Sequence, residues 1–173
     1  MTLAKGFVGG VLAGSATSLV AAAARGFGLA MNIELILGSA LTEQVGLFTW
    51  VLGFVVHLLI SGLVGFLYGV AVLLVRRSGP LAGAVMGLGH LVVDGIAVGW
   101  LGEAHPLMPA LLAAPGPFFA GAGAEGVLAF AVLHLLFGAL MGAMLRLAPR
   151  PAADAPEGEP VAAPALAPTD AHA

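Results

Sequence analysis

His57, His90, Asp94 and His134 are the side chains whose types and spacing point to chemistry in an otherwise apolar stretch of chain. His90 and Asp94 are four residues apart, which on a helix places them on one face and within hydrogen-bonding reach. A carboxylate that accepts from one imidazole nitrogen fixes the tautomer and leaves the other nitrogen as a base, a proton carrier or a metal ligand. His57 opens a run with Ser61 and Gly65, and His134 opens one with Gly138 and Gly142, so each imidazole shares a helix face with small residues. Imidazoles from two helices can hold a haem iron or join others around a metal. Taken singly, each His has a structural alternative, a neutral ring bonded to the neighbouring helix and contributing about 1 kcal/mol. Glu103 and His105, the latter before Pro106, are candidate ligands in an outer loop.

These groups sit in 173 residues that are 60% hydrophobic and 9% charged, with a mean hydropathy of +1.07. A soluble domain carries about one quarter charged residues, so the composition indicates a protein that lives in a lipid bilayer. Six Lys and Arg with a net charge of −3 give no electrostatic basis for nucleic-acid binding. The absence of Cys excludes disulfides and thiolate sites. There is no phosphate-binding Gly-xxxx-Gly-Lys-Ser/Thr loop, no His-Glu-xx-His and no Gly-x-Ser-x-Gly, so a hydrolase or ATPase is unsupported. Acid and base chemistry on a lipid or quinone by Asp94 and His90 would name no substrate.

The elements that must position these residues are membrane helices. About 20 helical residues cross a hydrocarbon layer of about 30 Å, and such stretches occur at 3–24, 45–75, 79–101 and 121–147. The fold class is therefore all-α, a polytopic membrane protein of four spans. Residues 25–44 read as a short interfacial helix or a folded loop, and Pro106, Pro109, Pro115 and Pro117 break any helix between the last two spans. Residues 148–173 are rich in Ala, Pro and acids and read as a disordered tail. At about 1.5 Å per residue, the three histidines and Asp94 fall at similar depth, as one polar layer. Lys5, Arg76, Arg77, Arg146 and Arg150 lie on one side and Arg25 alone on the other, so both termini are expected in the cytoplasm. The competing reading makes the first span a signal peptide cleaved near Arg25.

An internal repeat argues for a retained first helix. Gly6, Gly10 and Gly14 match Gly79, Gly83 and Gly87, while His57, Ser61 and Gly65 match His134, Gly138 and Gly142. The spans read as two duplicated helical hairpins related by an axis along the membrane normal. Glycines four apart, with Gly69 extending the second span, form smooth ridges on which backbones approach closely, the main source of helix association in lipid.

The segments GLGHLVVDGIAVGWLGEAHPLMP and GPFFAGAGAEGVLAFAVLHLLFGALMGAML resemble a broad set of bacterial four-span inner-membrane proteins grouped as a domain of unknown function. Gly87, His90, Gly95, His105, Pro106, Gly116, His134, Gly138 and Gly142, with His57 and Tyr68, carry the resemblance. It implies the fold and the bacterial inner membrane, without an activity, substrate or cofactor. The leading expectation is a non-enzymatic four-helix bundle, 1–147, whose His57, His90, Asp94 and His134 layer relays protons or binds a small ligand. The alternatives are a haem- or metal-binding membrane subunit and a small secondary transporter or channel, the last expected to be a homo-oligomer.

Overall fold

The computed structural model describes residues 3–146; the segment expected to be disordered, 148–173, lies outside the described residues. The helices are α1 (Leu3–Gly26), α2 (Ile33–Thr42), α3 (Leu47–Val75), α4 (Pro80–Ala104) and α5 (Gly123–Met144), with a 3-10 turn over Pro117–Ala122 leading into α5. No strand occurs among the described residues. The helices α1, α3, α4 and α5 with its turn are each long and apolar enough to cross a membrane. Even α5, with 22 residues, reaches about 33 Å. The chain is an all-α protein built as an integral, multi-pass membrane protein would be.

Local sequence sets the helix ends. Asn32 caps α2 by accepting from the Leu35 N–H at 3.1 Å, and α2 stops at Glu43, left-handed with φ 52°. Pro80 opens α4, where its missing N–H costs nothing, and Gly79 before it takes φ 108°.

Two antiparallel pairs form the body, α1 with α3 and α4 with α5. A side-chain carbon on Gly10 would collide with the backbone of Ser61 and Gly65, and one on Gly83 with the backbone of Gly138 and Gly142. The two pairs thus meet in the same register, through glycines that leave no room for a methyl group. α4 carries a second row of small positions: Gly95 receives the ring of Phe118, Gly99 faces Pro117 and Gly102 faces Pro115. That seat holds a strained turn, because Phe118 and Phe119 both have left-handed backbones, with φ 54° and 60°. Each such residue costs roughly 1–2 kcal/mol, offset here by burying Phe119 to 1% exposure among Val98 and Phe130.

α2 is a true helix rather than a loop, and it lies directly on α3, with Gly38 and Gly53 at the point of closest approach. The pairs join along α1 and α5, where Gly9 packs on Met141 and Met144. In contact order the spans run α3, α1, α5, α4, so the bundle is left open between α3 and α4. One hydrophobic cluster, with Ala13, Tyr68, Val72, Phe137, Met141 and Leu145, fills the end that carries Lys5, Arg76 and Arg146. A second, with Met31, Ile36, Val98, Phe119 and Phe130, fills the α2 end. The polar residues lie between them.

Candidate functional site: an intramembrane His/Asp centre

Gly87 brings α4 against α5 at the level of the His134 backbone, with the His134 carbonyl 2.7 Å from where a Gly87 side chain would begin. That approach lets imidazoles from the two helices meet. On α4, His90 Nε2 lies 3.0 Å from Asp94 Oδ2, as the i, i+4 spacing predicts. From α5, His134 Nε2 lies 3.2 Å from the same oxygen. The two imidazoles stand edge to face, 4.6 Å between ring centres.

His134 Nδ1 is 2.8 Å from the Phe130 carbonyl, an oxygen that can only accept, so Nδ1 carries the proton. A neutral His134 then turns the Nε2 lone pair toward the Asp94 carboxylate. Two electron-rich atoms at 3.2 Å call for a positive centre between or beside them, a proton or a metal ion. The Nδ1–H to carbonyl bond is also the outer contact that orients a metal-ligating imidazole.

His90, Asp94 and His134 each offer one ligand atom, and these three atoms lie within 4.8 Å of one another. Zinc at 2.0–2.2 Å from N and O donors in a tetrahedron holds them about 3.3–3.6 Å apart, a little more than the 3.0 and 3.2 Å that separate the two imidazoles from Asp94 Oδ2. The donor set of two imidazoles and a carboxylate suits a borderline divalent ion.

The centre forms one wall of a cavity of about 240 Å³ between the two helix pairs. On the opposite wall stand His57 and Ser18, joined from His57 Nδ1 to Ser18 Oγ at 3.0 Å, and Glu34 from α2. All four residues of the expected layer, His57, His90, Asp94 and His134, line this one cavity. They are not joined as symmetric partners, since His57 bonds Ser18 while His134 bonds Asp94. The volume is below the roughly 300–1,000 Å³ of pockets for drug-sized ligands, which favours an ion or a small head group over a porphyrin.

Glu34, in the 25–44 segment read from sequence as a short interfacial helix or a folded loop, also lines the cavity. It is fully buried and paired with Arg25 at 3.1 Å, while Arg25 also donates to the Met31 carbonyl. Its other oxygen, Oε1, has no partner, and neither do Tyr68 Oη and His90 Nδ1. A signal for this pairing existed: Arg25 is the lone cation of its side, nine positions before Glu34. His105, a candidate ligand from sequence, sits apart from the centre and is 4% exposed. Its Nδ1 accepts from the Leu107 N–H at 3.1 Å, so Nε2 carries the proton and faces the Ile36 carbonyl and Ser39 Oγ, both at 3.1 Å. No lone pair is left for a metal; the ring ties the loop after α4 to α2. Glu103 is exposed.

Comparison of the chain with protein-family models, with curated proteins and with solved structures gives no match in any of the three.

Proposed function

We propose that this multi-pass membrane protein holds a divalent transition-metal ion within the bilayer, bound by His90, Asp94 and His134. The observation that carries the reading is the His134 ring: its proton is committed to the Phe130 carbonyl, and its lone pair meets Asp94 Oδ2, which His90 also approaches. An ion there would supply the missing positive charge, held by three residues that all line the cavity. Hydrophobic clusters close both ends of the cavity, which supports holding an ion over passing one through.

We place the protein in a bacterial inner membrane with both termini cytoplasmic. Lys5, Arg76, Arg77 and Arg146 at one end support that orientation. Arg25, the exception, is held by Glu34.

The test is elemental analysis of protein purified from its own membrane and reloaded with Zn²⁺, together with the visible spectrum of the Co²⁺ form. Stoichiometric metal and a tetrahedral Co²⁺ band are expected, both lost in Asp94→Asn and His134→Ala variants that keep native helicity. Unchanged metal content in both variants would sink the reading.

A further inference from the structure

The cavity has a side entrance. Among its lining residues Ile60 on α3 and Ala97 on α4 are exposed, Ile60 to 40%, the Asp94 side chain is open to the same extent, and all three lie well inside their helices. α3 and α4 do not pack along their length; an edge contact of Tyr68 with His90 bridges them toward the Arg76 end. Because the clusters around Met141 and around Phe119 close the cavity above and below, its mouth opens sideways, at hydrocarbon depth. A solute that enters there comes from the bilayer, and a charged one would pay heavily to do so.

Inside, Glu34 Oε1 is buried without a donor, in a carboxylate whose other oxygen is held by Arg25. A buried acceptor in that state calls for an incoming O–H or N–H. His57, whose Nδ1 is engaged by Ser18, presents the rest of its ring to the same space. A hydroxyl both donates and accepts, so it satisfies Glu34 and meets His57 in either tautomer. We infer that the cavity receives the hydroxyl head of a lipophilic molecule, which enters between Ile60 and Ala97 and donates its O–H to Glu34 Oε1. The modest volume holds the head, and the apolar body trails through the mouth into lipid.

The inference stands on the mouth and Glu34, independently of the metal. Full-length protein in phosphatidylcholine nanodiscs is titrated with radiolabelled para-dodecylphenol and with its O-methyl ether, which differs only in lacking the donor. Saturable binding of the phenol is expected, weaker by about tenfold or more for the ether, as loss of a hydrogen bond to a charged group implies. Ala97→Trp and Ile60→Trp, on the two lips of the mouth, should each abolish it while zinc content stays unchanged. Equal binding of the ether, or full binding by both lip variants, overturns the inference. So does a protein that takes zinc and binds neither probe, whereas phenol binding without zinc would remove the metal reading and leave this one standing. Efficient disulfide formation between copies of an Ala97→Cys variant, with no phenol bound, would show a second copy over the mouth and overturn it equally.

Discussion

His134 and His105 are both buried imidazoles with one nitrogen bonded to a backbone group, and their partners give them opposite roles. In His134 the bonded nitrogen donates, leaving a lone pair for Asp94; in His105 it accepts, leaving a proton for Ile36 and Ser39. His105→Ala is therefore expected to destabilise the protein by about 1–3 kcal/mol, because it strands buried polar groups, with zinc content unaffected. Thermal unfolding in detergent alongside elemental analysis checks both halves. Glu34→Ala should cost more, about 3–5 kcal/mol, since it leaves the Arg25 guanidinium without its carboxylate. Combining it with Arg25→Met should recover most of that loss in the same melt. The His90–Asp94 contact was legible from spacing alone, because i, i+4 is a geometric certainty on a helix. The place of His134 was legible as a depth and as a face shared with Gly138 and Gly142, but its bond to Asp94 was not, since spacing within α5 does not say which residue of α4 its ring meets. His105 looked like a ligand because a His-Pro in a loop gives no hint of burial.

Among the elements, glycine divides into positions with and without a neighbour. Gly83→Leu should force α4 and α5 apart, where its side chain would meet the backbone of Gly138 and Gly142, and cost about 1–3 kcal/mol or more. Gly89 on the same helix faces open space, so Gly89→Ala should be neutral or stabilise by up to about 1 kcal/mol through helix propensity. Crosslinking yield between cysteines placed across α4 and α5 reports the first, and thermal melts report the second. The ridges of Gly10 and Gly83 were readable because a period of four leaves one smooth stripe. The row Gly95, Gly99 and Gly102 escaped the same reading, because its partner is an irregular turn with two left-handed phenylalanines, not a helix with its own period. The seat of α2 on α3 escaped too: Gly38 and Gly53 are single glycines, and nothing in the sequence marks them as a pair.

On the scale of the molecule, the four spans followed from length and hydropathy, while the gap between α3 and α4 did not. Residues that face lipid and residues that face an apolar cavity are the same types, so Ile60 and Ala97 carry no mark of their place at a mouth. Orientation is testable because the chain has no cysteine of its own. In intact cells a membrane-impermeant maleimide should label Glu43→Cys, and Arg77→Cys only after lysis; the reverse pattern would invert the protein. The two halves also differ in stiffness from the joint between them. Within each half, backbone lies against backbone at Gly10 and Gly83, leaving almost no slack. Between the halves, a side-chain carbon on Gly9 would sit at an ordinary 3.5 Å from the thioethers of Met141 and Met144, and methionine side chains rearrange at little cost. The molecule is thus two rigid leaves on a compliant spine at Gly9, pinned at the α2 end by the His105 bonds to Ile36 and Ser39, so any slack between the leaves is confined to the end away from that pin.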